Sequence, residues 1–254
     1  MTRRRAMFHV GGTALVMDFD LASSVQKEMS ETILAGRDYE NATSAFMRQA
    51  ITPGDTCVDV GAHVGFFTLL MAALVGPTGR VYAFEPNPDN YQRLLNHLSI
   101  NGLRNVIPLH MAVGSGCGVV DLWVNKDNDG GHALYDVGIF PANTKSAARP
   151  QRYPVWCTTL DALVLPPIAV LKVDTEGAEH GVLKGCTTNP GHVVSEIHRA
   201  GLAVMGSGED QYRRYMTQRG YGTTMPDEHG HLHDMTGKTV PGSNVFNVVF
   251  THGA

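Results

Sequence analysis

The chain of 254 residues lacks most of what would tie it to a membrane, a nucleic acid or a disulfide scaffold. Its four cysteines, Cys57, Cys117, Cys157 and Cys186, are widely spaced and form no CxxC pair. That spacing argues against a disulfide framework and for free thiols in a reducing compartment. No apolar run approaches the ~18 residues that a membrane span needs. Arg3, Arg4 and Arg5 imitate the start of a signal peptide, but residues 6–18 are broken by His9, Gly11, Gly12 and Thr13. The expectation is a solvated N terminus leading into a first strand, and a cytoplasmic location. Basic charge is not in excess either. The formal net charge is −4, which speaks against the basic surface of general nucleic-acid binders. There is no internal repeat and no low-complexity linker.

What remains is an ordinary globular composition, with 43% hydrophobic and 17% charged residues. The length suits one large α/β domain with a substantial core. Residues 1–52 read as an N-terminal cap, with a short hairpin within 8–19 and helical stretches over 23–50 interrupted near Gly36. Pro53-Gly54-Asp55 is turn chemistry and leads into a strand over 56–60. A helix is expected over 63–74, a strand over 80–84 and a helix over 89–100. Pro88 suits that helix's first turn, where its missing N–H costs nothing. Further strands are expected over 106–109, 119–124, 169–173, 193–197, 221–224 and 244–251. Short helices are expected over 159–163, 178–184 and 210–219. Residues 125–154 are irregular and polar, long enough to form a functional lid. Strands alternating with helices predict a doubly wound, mostly parallel sheet with an antiparallel edge and ligands at the carboxyl ends of its strands. The second region thus runs over 53–254 with the lid as an insertion.

The most informative stretch is residues 58–68, Val-Asp-Val-Gly-Ala-His-Val-Gly-Phe-Phe-Thr, followed by Phe84-Glu85-Pro86-Asn87-Pro88. An apolar strand enters a glycine turn, a helix follows, and the next strand ends on an acid. Gly61 and Gly65 allow close backbone approach to a ligand. Asp59 can accept from a ligand ammonium, and Glu85 can accept from both hydroxyls of a ribose. The spacing from Gly61 to Glu85 is near the ~20 residues expected for such an acid. The third glycine of a dinucleotide fingerprint is missing, so a phosphate-free nucleoside such as S-adenosylmethionine fits better than NAD.

With these words in hand, the chain resembles the FkbM family of S-adenosylmethionine-dependent O-methyltransferases. The matching words are Pro53-Gly54-Asp55, the 58–65 run, Phe84-Glu85-Pro86-Asn87-Pro88, Ala112-Val113-Gly114, Thr159-Leu160-Asp161, the 171–179 run Leu-Lys-Val-Asp-Thr-Glu-Gly-Ala-Glu, and Glu196-Ile197-His198. They cover roughly residues 50–200 in order. His63 departs from the family, where asparagine is commoner, yet it can still donate and accept hydrogen bonds. The resemblance implies a class I, Rossmann-like methyltransferase fold. It also implies that Ala112 and Val113 lie beside the adenine, and that Tyr39-Glu40 reaches back to the cofactor. The cofactor set is then Asp59, Gly61, His63, Gly65, Glu85, Ala112, Val113 and Asp174.

Asp174 and Glu176 follow one strand, and Glu196 and His198 end the next on one face. These residues can converge over a methyl group. A hydroxyl that attacks must lose its proton. His198 can take it as a general base, with Asp174 and Glu176 as further catalytic residues. Alternatively, Asp174, Glu196 and His198 can hold Mg²⁺, which acidifies a bound hydroxyl. Glu179 reads as a helix-start acid. Asp127, Asp129 and His132 are candidate substrate contacts in the lid. Tyr135, Phe140, Tyr153 and Trp156 are candidate flat surfaces for a sugar ring. His229, His231 and His233 read as a solvated turn rather than a zinc site, since no matching cysteine or acid pair accompanies them.

The expected acceptor is a hydroxyl of a mono- or oligosaccharide, with a polyketide or other secondary-metabolite hydroxyl as the alternative. A nucleic-acid methyltransferase would need a base-reading loop where Asp174-Thr175-Glu176-Gly177 stands. A non-catalytic cofactor-binding module would lack the polar cluster at the strand ends. The acceptor's identity, the hydroxyl methylated and any homo-oligomer stay open at this level.

Overall fold

A computed structural model describes residues 3–240 and 242–252. The few residues of the two expected regions at 1–2, 241 and 253–254 lie outside that description. The chain opens with a hairpin, β1 (Arg3–Val10) and β2 (Thr13–Asp20), longer than the 8–19 stretch suggests. Two helices follow, α1 (Ser24–Leu34) and α2 (Asn41–Ala50). Ser23 caps α1 by accepting from the Gln26 N–H.

The alternating part comprises β3 (Thr56–Val60), α3 (Phe66–Val75), β4 (Arg80–Phe84), α4 (Pro88–Ile100) and β5 (Val106–Leu109). Asn87 caps α4 through the Asp89 and Asn90 N–H groups, with proline directly after the cap. Helix α3 starts three residues later than expected, because Gly65 stands at its N-cap with φ +99°.

A side sheet then forms from β6 (Ala112–Val113), β7 (Gly118–Trp123) and β8 (Arg152–Thr158). Between β7 and β8 lies the segment expected to form a lid, with a short helix α5 (Thr144–Ala148). Strand β8 corrects the sequence reading in two ways. It begins inside the stretch expected to be irregular, and Pro154 is tolerated within it opposite Asp121. The chain continues through β9 (Val170–Val173), α6 (Glu179–Lys184), β10 (His192–His198), α7 (Arg199–Val204), α8 (Glu209–Gln218), β11 (Tyr221–Pro226), β12 (Leu232–Asp234) and β13 (Val245–His252). The expected short helix over 159–163 is a single 3₁₀ turn at Asp161–Leu163.

The main sheet runs β12-β11-β13-β10-β9-β3-β4-β5. Strands β10, β9, β3, β4 and β5 are parallel, and β13 joins antiparallel between β10 and β11. Strands β3 and β9 sit centrally and are almost wholly buried, as parallel strands covered on both faces must be. The N-terminal region packs into the same core. Phe8, Met17, Phe19, Met29 and Phe46 share one apolar cluster with Phe66, Leu69, Leu70 and Leu94 of the doubly wound part. All four cysteines are unpaired. No helix among the described residues is long and apolar enough to cross a membrane.

Candidate active site

One cavity of about 570 Å³ opens at the carboxyl ends of β3, β4, β9 and β10. Its floor is dictated by close packing of two strand ends. A Cβ on Gly61 would stand 1.8 Å from the Asp174 carbonyl oxygen, and Gly61 holds φ +85°. No other residue fits there, so the turn after β3 passes directly over the end of β9. Glu176 and Gly177 form a second tight passage. A Cβ on Gly177 would meet the backbone of Gly201 at 2.4 Å, which seats the loop after β9 against α7.

Asp59, Gly61, His63, Glu85, Ala112, Val113 and Asp174 all line this cavity, as do Glu176, Glu196 and His198. Gly65 does not; it shapes the turn and lets Leu94 pack close, since a Cβ would meet Leu94 Cδ1 at 2.6 Å. Asp59 is fully buried. Its Oδ2 accepts from Thr68 Oγ1 at 2.6 Å, while Oδ1 has no partner. Burial pushes this carboxyl above its ordinary range, against the pull of Lys172. Glu85 accepts from the His63 N–H at 2.7 Å and the Asn87 N–H at 2.8 Å, one on each oxygen. Burial nevertheless raises it to about 7. Each oxygen keeps a further lone pair for a hydroxyl donor.

Glu176, Glu196 and His198 form a second group of polar side chains in the same cavity. His198 Nδ1 is 3.0 Å from Glu176 Oε2, an ion-pair contact whose angle falls outside hydrogen-bond geometry. Glu176 raises the His198 pKa, outweighing burial. Glu196 stands beside them with Oε2 buried and unpartnered. Burial and then the carboxylates of Asp174 and Glu176 push Glu196 far above the usual range.

The ligand atoms of Glu176, Glu196 and His198 lie within 4.8 Å of one another. The sequence reading placed Asp174, Glu196 and His198 in that trio. The close group of donors contains Glu176 where Asp174 was expected, and Asp174 Oδ2 instead accepts from Lys172 Nζ at 2.9 Å. Glu179 stands in the first turn of α6, the helix-start place expected of it. Ala178 is the cap of α6, and Glu179 turns back so that Oε1 accepts from the Thr175 and Gly177 N–H groups at 3.0 and 2.8 Å. It thereby braces the loop that carries Glu176.

Two side chains enter without having been singled out. Lys172 is a buried cation on β9, and its signal was a charge inside the apolar run Val170–Val173. Asn247 on β13 donates to Glu40 Oε2 at 2.7 Å, and nothing local in the sequence marks it. Tyr39 and Glu40 do line the cavity, Glu40 with φ +44° ahead of α2. Burial raises Glu40 to about 7.

The lid is ordered by its own polar residues. Asn125 Oδ1 accepts from the Asp127 and Asn128 N–H groups. Asp127 accepts from the Lys145 and Ser146 N–H groups and so braces α5, away from the cavity. Asp129 turns to α1, bonded to Ser23 and, at 2.5 Å, to Gln26 Nε2, with His63 Nε2 3.7 Å away. His132 lines the cavity, and burial lowers it to about 4. Of the four aromatic candidates only Phe140 lines the cavity, its ring centroid 6.1 Å from that of His198. Tyr135 packs edge-on behind Phe140. Tyr153 accepts from Asn87 Nδ2. Trp156 is 68% exposed on the outer face of the side sheet, so it is no part of this site. His229, His231 and His233 are exposed around Asp227, which accepts from the His229 and His231 N–H groups.

Comparison with known proteins adds the following. The hexuronic acid methyltransferase AglP of Haloferax volcanii is 30% identical over 148 residues, covering 57% of this chain and 56% of AglP. A protein-L-isoaspartate O-methyltransferase of Aeropyrum pernix is 40% identical over 63 residues, covering 25% of this chain and 24% of that protein. The matched stretch thus spans about half of AglP and a quarter of the second relative. The crystal structure of methyltransferase FkbM from Methylobacillus flagellatus KT superposes with a TM-score of 0.47 at 15% identity, over 78% of this chain and 43% of that one. The sequence profile of the Methyltransferase FkbM domain matches residues 59–222, from Asp59 on β3 to the start of β11. The chain belongs to the FkbM methyltransferase family.

Proposed function

We propose that this protein transfers the methyl group of S-adenosylmethionine to a hydroxyl oxygen of a mono- or oligosaccharide. The observation that carries the reading is one continuous cavity. It joins the Asp59–Glu85–Val113 end to the Glu176–His198 pair, and its volume suits a cofactor with a small acceptor. The unpartnered Asp59 Oδ1 and the free lone pairs of Glu85 fit the ammonium and ribose hydroxyls of S-adenosylmethionine. When bound, the cofactor supplies an electrophilic methyl carbon for direct displacement. Glu176 orients His198 through Nδ1, leaving Nε2 to take the proton that the acceptor hydroxyl releases. Phe140 offers a flat apolar face near the His198 ring, suited to the C–H face of a sugar ring. The name of the relative AglP supports a sugar acceptor.

A second reading concerns Mg²⁺. The three donors within 4.8 Å and the orphaned Glu196 oxygen fit a divalent cation. Glu176 and Glu196 would hold it, and it would supply Lewis acidity toward a bound hydroxyl.

Both readings are tested with S-adenosylmethionine labelled in its methyl group and a panel of neutral saccharides. Label entering a saccharide is the expected result. Retention of S-adenosylhomocysteine without transfer to any saccharide would overturn the acceptor class. Failure to bind either form of the cofactor would overturn the whole reading. Full activity in excess chelator would remove the metal.

A further inference from the structure

Lys172 has no role in the mechanism above, yet it lines the same cavity. It is 4% exposed, on a strand whose other residues are apolar. The strand register sets its surroundings. Lys172 lies opposite Asp59 on β3 and Val194 on β10. Asp174 is two residues on, hence on the same face of the sheet. The Nζ donates to Asp174 Oδ2 at 2.9 Å and sits 4.7 Å over the Phe67 ring. Glu40 approaches from the N-terminal region, held by Asn247.

A buried ammonium is costly unless it is paired. Burial alone would lower Lys172, but Asp174, Asp59 and Glu40 outweigh it and hold the group above its ordinary value. A lysine held in its charged form has no lone pair with which to accept a proton, so it is no candidate base. Its geometry does something else. It holds Oδ2 of Asp174 at a point on the wall of the cavity that Asp59, with its unpartnered Oδ1, also lines.

We infer that Lys172 is a positioning residue that anchors Asp174, next to Asp59, to receive the amino-acid end of the methyl donor. The inference rests on the cofactor assignment above. It differs from a purely structural role in one respect. A structural lysine would affect every ligand of the cavity alike. A positioning lysine affects ligands that carry the amino-acid end and spares those that lack it.

The test compares S-adenosylhomocysteine with 5′-methylthioadenosine, which has the nucleoside but no amino-acid end. Titration calorimetry on wild type and Lys172→Met gives both dissociation constants, with thermal melting as a check on folding. The expected result is that S-adenosylhomocysteine weakens at least about tenfold, the factor that about 1.4 kcal/mol represents. Binding of 5′-methylthioadenosine should stay within about twofold of wild type by the same arithmetic. Equal loss for both ligands, or no loss for either, would overturn the inference and leave the cofactor assignment intact. If wild type binds neither ligand, the cofactor assignment fails and takes the inference with it. If Lys172→Met does not fold, Lys172→Arg carries the test. The larger planar group keeps the charge but displaces Asp174, so the same ligand-selective loss is expected and its absence overturns the inference.

Discussion

Nδ1 of His198 lies 3.0 Å from Oε2 of Glu176, although the two residues leave different strands and Glu176 must adopt φ +58° to make the contact. A non-glycine residue in the left-handed region is held there by its surroundings. Here the holding groups are Gly177 packed on Gly201 and Glu179 bonded to the Thr175 and Gly177 N–H groups.

The first prediction concerns that pair. His198→Asn should reduce kcat by roughly 10²–10⁴-fold, the usual contribution of a positioned base. Glu176→Gln should cost less, since it removes the orienting charge and leaves the imidazole. Neither should alter the dissociation constant of S-adenosylhomocysteine, because the proposal puts both residues at the acceptor end. Steady-state kinetics and calorimetry check this, and loss of cofactor binding by either variant would contradict the assignment.

The lid is latched through Asp129. Its carboxylate joins residues 125–151 to Ser23 and Gln26 on the N-terminal side and stands near His63 in the cofactor turn. Asp129→Ala should release that latch. Dissociation of S-adenosylhomocysteine, followed by stopped-flow fluorescence, should quicken by about tenfold, since changes at one interface are read mostly in the off-rate. An unchanged off-rate would mean that the lid does not control exit.

Phe140 is expected to act on the acceptor alone. Phe140→Ala removes the one candidate sugar platform that faces the cavity. An aromatic contact of about 1 kcal/mol corresponds to roughly a fivefold rise in acceptor KM. The cofactor constant should not move. A matching change in both would assign Phe140 to lid packing instead.

Glu179 provides a pH test of stability. The side chain is fully buried, and burial raises it to about 7 from an ordinary 4.5. The folded form therefore holds its proton more tightly than the unfolded form does. Its contribution to stability is fully present below pH 4.5 and is lost as pH rises to about 7. Glu179→Gln does not ionise, so it should escape that loss. The variant's melting temperature should gain on wild type steadily between pH 4.5 and 7 and hold constant above. The full gain is on the order of 3 kcal/mol. A difference independent of pH would show that Glu179 is not titrating in this range.

Much of the fold was legible along the chain. The strands 56–60 and 80–84 and the helix opened by Pro88 appear where apolar runs, turns and caps place them. The signals there are local, being a glycine in a left-handed turn conformation that other residues resist or a cap residue ahead of a proline. Strand β8 was not legible, since its stretch follows the polar lid and contains Pro154. It forms because β7 offers a partner edge. The grouping of donor atoms at the strand ends was only partly legible for a related reason. Spacing puts Asp174 and Glu176 within reach of the same point, but a lysine two residues upstream occupies one of them.

The sequence by itself determined the parallel α/β order, the glycine turn after β3, the acids that close β3 and β4, and the family to which they belong. Those properties depend on short-range chemistry, and short words carry them. Tertiary structure alone decided which side chains share the cavity. It brought Glu40 and Asn247 together from opposite ends of the chain, turned Trp156 outward and Phe140 inward, and paired Lys172 with Asp174. The reason is physical. A buried charge takes the nearest partner that folding delivers, and which partner that is depends on strand register and loop path, quantities that no local pattern records.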